Sequence, residues 1–120
     1  MAEHAVAAVG ELGPGDRLIV NLEGRSIGVF NVDGEYCAVR NQCPHQGGPV
    51  CEGIIVKTLK ACVEPSGEVR EYYDPRQLAL CCPNHGIEFD VRTGACLANP
   101  RWRLRVYDTR VENDRVVVAL

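Results

Sequence analysis

Two of this chain's three histidines stand beside a cysteine in short loops of the same make-up, Cys43-Pro44-His45-Gln46-Gly47-Gly48 and Cys82-Pro83-Asn84-His85-Gly86. Each loop offers one thiolate and one imidazole. Soft sulfur and borderline nitrogen in equal numbers suit either zinc or an iron-sulfur centre. Proline directly after each cysteine fixes φ and removes an N–H, which stiffens the loop at its first ligand. Glycine after the histidine lets the backbone turn through positive φ and approach a bound group closely.

In a Rieske-type [2Fe-2S] centre two cysteines hold one iron and two histidines hold the other. Two Cys-plus-His loops can present that set if they lie side by side. The chain resembles the Rieske family, and within it the Rieske-type ferredoxins, on Cys43-Pro44-His45-x-Gly47-Gly48, then Cys82-Pro83-x-His85-Gly86-x-x-Phe89-Asp90, then Thr93-Gly94. The likeness runs from about residue 12 onward. It implies one [2Fe-2S] cluster held by Cys43, His45, Cys82 and His85, on an all-β, antiparallel sandwich or barrel with a small cluster-binding lobe of about residues 43–100. It further implies a one-electron carrier between a flavin-dependent NAD(P)H reductase and a terminal oxygenase, with His45 and His85 as the electron's exit.

Two departures bear on the potential. Respiratory Rieske proteins join their loops by a disulfide, and the matching positions here are Gly48 and Asn84. They also carry Ser and Tyr hydroxyls that raise the potential, where this chain has Ile87 and Phe89. The resemblance thus implies a centre near the low end of the Rieske range, roughly −150 mV. An oxygenase needs a further mononuclear iron with two His and a carboxylate, and only His4 is left over. Two rival readings are a Rieske-like small subunit of a larger redox enzyme such as nitrite reductase, and a zinc-stabilised interaction module. Zinc needs four deprotonated ligands in a tetrahedron and leaves the repeated Pro and Gly without a purpose.

The chain has 120 residues, enough for a single domain spanning 1–120. Ala5 to Val9 is too short an apolar run for a signal or a span, so no membrane and a cytoplasmic setting are expected. A net charge of −3 speaks against nucleic acid. Of the seven cysteines, Cys37, Cys51, Cys62, Cys81 and Cys96 fall outside the ligand positions and are expected as reduced thiols. Cys51 and Cys81 are close enough in sequence to the loops to compete for iron.

The elements that must position these loops read as strands. Gly13 to Asp16 is a turn, followed by strands Arg17–Leu22, Ser26–Val32 and Glu35–Val39, with turns at Glu23-Gly24 and Asp33-Gly34. The long spacer 46–81 predicts a strand over Ile54–Val63, a turn at Pro65-Ser66-Gly67 and a return over Glu68–Tyr73. Asp74-Pro75 is expected to end that return before Gln77–Cys81. Val63, Val69, Tyr72 and Tyr73 are expected beneath the ligand loops, with a partner surface as the alternative. Ile87–Val91 and Ala95–Leu97 read as short strands, with Asn99-Pro100 as a loop flanking the cluster. Trp102, Leu104 and Val106 alternate with Arg101, Arg103 and Arg105 as one buried and one wet face. Asn113-Asp114 makes the last turn before Arg115–Leu120. His4 is assigned to a mobile terminus.

Overall fold

The computed structural model describes residues 2–44, 47–83 and 86–120, with backbone alone for 57–60 and 73–77. Among the described residues nine strands make two sheets: β1 (Glu3–Ala8), β2 (Arg17–Leu22), β3 (Arg25–Val32), β4 (Glu35–Arg40), β5 (Ile54–Val63), β6 (Val69–Cys81), β7 (Glu88–Asp90), β8 (Val106–Glu112) and β9 (Arg115–Ala119). The first sheet has the order β1-β9-β8-β4-β3-β2 and the second β5-β6-β7, with every pairing antiparallel. The fold is all-β, and no described helix is long and apolar enough to cross a membrane.

Local chemistry sets the hairpins of the larger sheet. Glu23-Gly24, Asp33-Gly34 and Asn113-Asp114 each hold two consecutive positive φ values. That is the mirror-image turn whose twist matches the strands it joins. The sheet curls until its outer strands β1 and β2 face each other across a groove lined by Val6, Ala7, Leu12, Asp16 and Leu18 among others. His4 Nε2 lies 2.9 Å from Glu23 Oε2 across this seam. The N-terminus is therefore a paired strand against β9, not the mobile tail expected. Main-chain pairing, which a weak apolar pattern does not advertise, holds it.

Strands β3 and β4 are buried on both faces, and their alternation divides the core. Ile27, Val29 and Ala38 turn into the curled sheet with Leu12, Tyr107, Val116 and Val118. Phe30, Val32, Cys37 and Val39 turn outward and meet Leu80, Phe89, Val91 and Leu104, together with Cys43 and Cys82. The second core joins the two sheets, and both cysteines of the sequence motif sit in it.

The spacer departs from expectation. β6 is one continuous strand through Asp74-Pro75, and its pairing jumps from Lys57↔Leu78 to Thr58↔Asp74. A bulge takes up the extra residues, the setting in which a strand tolerates a proline without a ladder N–H. The distal part of this hairpin extends away from the core, with Val63 73%, Val69 66% and Tyr72 42% exposed. Their expected burial beneath the loops is thus overturned, and Tyr73 lies outside the described side chains. The arm accounts for a radius of gyration of 15.7 Å, against about 14 Å for a compact chain of this length.

The strand expected over 102–106 also differs. The described pairing there is an isolated bridge, Ala95↔Arg103, and Ala95–Leu97 likewise contributes only bridges. β8 begins at Val106, where the burial phase slips and Val106 becomes exposed.

Candidate metal centre

Loop one leaves β4 and loop two leaves β6, and the two are built on the same hydrogen-bond frame. Cys43 N–H donates to Gly48 O at 2.8 Å, and Gly47 N–H donates back to Cys43 O at 2.7 Å. Cys82 N–H donates to Ile87 O at 2.8 Å, and Gly86 N–H to Cys82 O at 2.9 Å. Gly47 and Gly86 take φ of 74° and 69°, a region glycine enters without strain. Cys43 and Cys82 are equivalent in this frame and nearly inaccessible, at 2% and 1% exposed. His45 and His85 lie outside the described residues.

Strand pairing puts the loops side by side. The exit of loop one is a 3₁₀ turn, Val50–Glu52, followed by Gly53, and the next residue, Ile54, pairs with Cys81 at the entry to loop two. The fit is close enough that a Cβ on Gly53 would stand 1.7 Å from the Cys81 carbonyl oxygen. Two residues the sequence reading missed hold this junction. Asn41 accepts the Cys51 N–H at 2.8 Å and reaches Ser26 Oγ at 3.1 Å. The Arg17 guanidinium donates to the carbonyls of Cys51 (3.0 Å) and Gly53 and lies over the Phe30 ring. Neither belongs to a motif, so only proximity could reveal them.

Beyond loop two, Asp90 Oδ1 accepts the N–H groups of Arg92 and Thr93, and Gly94 N–H closes onto Asp90 O at 2.7 Å. The Phe89-Asp90 and Thr93-Gly94 pieces of the sequence signature therefore build one tight turn. Phe89 is fully buried beneath the loops. Leu97 and Ala98 line a groove with Gly86, Ile87 and Glu88, while Asn99-Pro100 follows in a turn closed by Trp102 N–H on Asn99 O. Trp102 is half-buried against the inter-sheet core, as expected.

None of the seven cysteines forms a disulfide. Cys51 packs on Gly28, whose missing Cβ would lie 2.4 Å from its sulfur, and its thiol faces Val39 O at 3.7 Å. Burial pushes the Cys51 thiol up to about 12 and, aided by Glu35, the Cys37 thiol up to about 11. Unfolded thiols ionise near 9, so the native state keeps protons that the unfolded chain releases. Stability from this source is complete below that pH and is lost as pH climbs through about 11 to 12. Iodoacetamide at neutral pH is therefore expected to alkylate exposed Cys62 and spare Cys37 and Cys51 in the folded protein. Their labelling should appear only as unfolding begins at alkaline pH, and mass spectrometry of the labelled peptides checks it.

The Rieske [2Fe-2S] domain model matches residues 2–108. The chain belongs to the Rieske family. It is 30% identical over 123 residues to the ferredoxin component of the naphthalene 1,2-dioxygenase system of Pseudomonas aeruginosa, covering 100% of this chain and 99% of that one. Among solved structures it resembles the ferredoxin of carbazole 1,9a-dioxygenase from Nocardioides aromaticivorans, with a TM-score of 0.74, 26% identity, and 99% and 98% of the two chains covered. It also resembles a protein described as an NADH-dependent nitrite reductase small subunit from Mycobacterium tuberculosis, with a TM-score of 0.75, 26% identity, and 99% and 95% covered. The cofactor of a Rieske domain is one [2Fe-2S] cluster, and the described part of the site suits it: two equivalent buried thiols on adjoining loops, each with a glycine at positive φ.

Proposed function

We propose that this chain is a one-electron carrier, its cluster held by the Cys43 and Cys82 thiolates on one iron and the His45 and His85 imidazoles on the other. The observation that carries the reading is the shared frame of the two loops, which gives both cysteines the same burial and the same backbone pairing. When bound, the cluster accepts and releases a single electron. Cys43 and Cys82 sit on the core side, in contact with Phe89, Leu80 and Val50, so water is excluded from the sulfur end. The buried Phe89 and half-buried Ile87 bring no hydroxyl to the site, which supports a potential at the low end of the Rieske range, roughly −150 mV.

The donor in this reading is a flavin-dependent NAD(P)H reductase and the acceptor a terminal oxygenase, supported by the dioxygenase-system ferredoxins that resemble this chain. Its setting is the cytoplasm, in keeping with seven cysteines and no disulfide. The whole of 1–120 acts as one Rieske domain, with residues 43–100 as the cluster-binding lobe. The likeness to a nitrite reductase small subunit supports a second reading, a fixed electron-transfer subunit of a larger enzyme. Anaerobic purification decides the first point: about two irons and two sulfides per chain, with a visible spectrum that bleaches on reduction, are expected. A colourless protein with one zinc would overturn it. Reduction by a flavin reductase and NADH, with turnover of an oxygenase from the same source, separates the mobile carrier from the subunit.

A further inference from the structure

Two of the arginines that alternate with Trp102, Leu104 and Val106 gain a definite place in the fold. Arg103 and Arg105 project from the segment entering β8, and Arg40 ends β4. Arg40 N–H donates to Arg105 O at 2.9 Å, which joins the two segments directly. Together they line one shallow groove of about 520 Å³ whose remaining wall is Gln42, Cys43, Pro44 and Gly47, the first ligand loop. Among the described residues no carboxylate lines it.

Three observations set this groove apart from an ordinary solvated face. The chain is acidic overall, with 16 carboxylates against 13 Lys and Arg, yet three cations gather at the loop. Among the described residues no ion pair engages Arg40, Arg103 or Arg105, whereas Arg70, Arg92 and Arg110 each have a carboxylate partner. Two of the three are also held in position: Arg103 Nε donates to Thr93 O at 3.2 Å, and the Arg105 guanidinium stacks 5.6 Å over the Tyr107 ring. Held, exposed guanidiniums beside a redox loop match planar carboxylates.

We propose that Arg40, Arg103 and Arg105 form a docking patch at the first ligand loop that receives a carboxylate-rich surface of the redox partner. The inference rests on the electron-carrier reading and adds the polarity of the encounter. Net charge alone would repel an acidic partner, whereas a local cationic patch steers it to the loop where the electron leaves.

The sign of a salt effect tests this without knowing the partner. The reduced protein is mixed with ferricyanide, which takes one electron from it and becomes ferrocyanide, and separately with hexaamminecobalt(III), which is reduced to cobalt(II). If the patch governs approach, the ferricyanide rate falls about ten-fold as salt rises from about 0.01 M to about 0.1 M, where the screening length shrinks from about 30 Å to about 10 Å. R103E and R105E flatten or reverse that slope, while R115E, an equal charge change at the start of β9, leaves it alone. R103Q serves if the reversal fails to fold. A ferricyanide rate that rises with salt in the wild-type protein, as a net charge of −3 would dictate, overturns the patch.

A titration with poly-L-glutamate at about 0.01 M salt needs no cluster and keeps the two readings apart. Binding that weakens about ten-fold in R103E and R105E but not in R115E supports the patch. Absent binding, or equal loss in all three variants, overturns it. A protein with no reducible [2Fe-2S] absorbance fails the carrier reading, and the polyglutamate result then judges the patch by itself.

Discussion

Serine in place of either His45 or His85 is expected to abolish the reducible [2Fe-2S] signal, with iron and sulfide content falling by more than about ten-fold. No other imidazole is available to substitute, since the chain's remaining histidine, His4, is held on β1 against Glu23 at the seam of the curled sheet. Serine for Cys43 or Cys82 should have the same outcome, because the two thiols hold equivalent, buried places in the paired loop frame. The core inside the six-stranded sheet, with Ile27, Val29, Tyr107, Val116 and Val118, shares no residue with the loops, so far-ultraviolet circular dichroism should retain the β signature in all four variants. Two irons per chain and an unchanged spectrum of the reduced state in both histidine variants would sink the four-ligand assignment.

Gly53→Ala should be the most damaging substitution outside the ligands. Its Cβ would stand 1.7 Å from the Cys81 carbonyl oxygen and 3.1 Å from that of Val50, both main-chain atoms that cannot rotate aside. Relief requires the Ile54–Cys81 pair to part, and that pair is what sets loop one against loop two. Overpacking of this kind costs about 3 kcal/mol, roughly 10 °C in melting temperature for a chain of this size, and cluster retention should fall with it. Gly10→Ala is the control, since a Cβ there meets nothing within 4 Å. Equal melting temperatures for G53A and G10A would show that the loops are not joined through this contact.

The ligand loops were legible because their chemistry is local: residue type, proline after cysteine and glycine near histidine all lie within six positions. The hairpins were legible for the same reason, since Asp33-Gly34 and Asn113-Asp114 carry residues suited to positive φ and Glu23-Gly24 has glycine at its second position. Less visible was Pro75, which by local preference ends a strand and instead sits in a β6 that continues past a bulge. A partner strand can absorb a proline that local preference alone would treat as a stop. Val63, Val69 and Tyr72 looked like core by composition and proved exposed. Hydrophobicity identifies what can be buried, but burial needs an opposing surface, and the distal hairpin has none among the described residues.

The sequence by itself determined the family, the turns and the all-β character, because each depends on neighbours a few residues apart. Tertiary structure decided the rest: that Ile54 pairs with Cys81 and so brings the loops together, that Asn41 and Arg17 pin their junction, and that Arg40 joins Arg103 and Arg105 in one groove. These groups are ten or more residues apart along the chain, and no local pattern encodes their meeting. It follows only once β3 and β4, buried on both faces, have joined the two sheets through a common core.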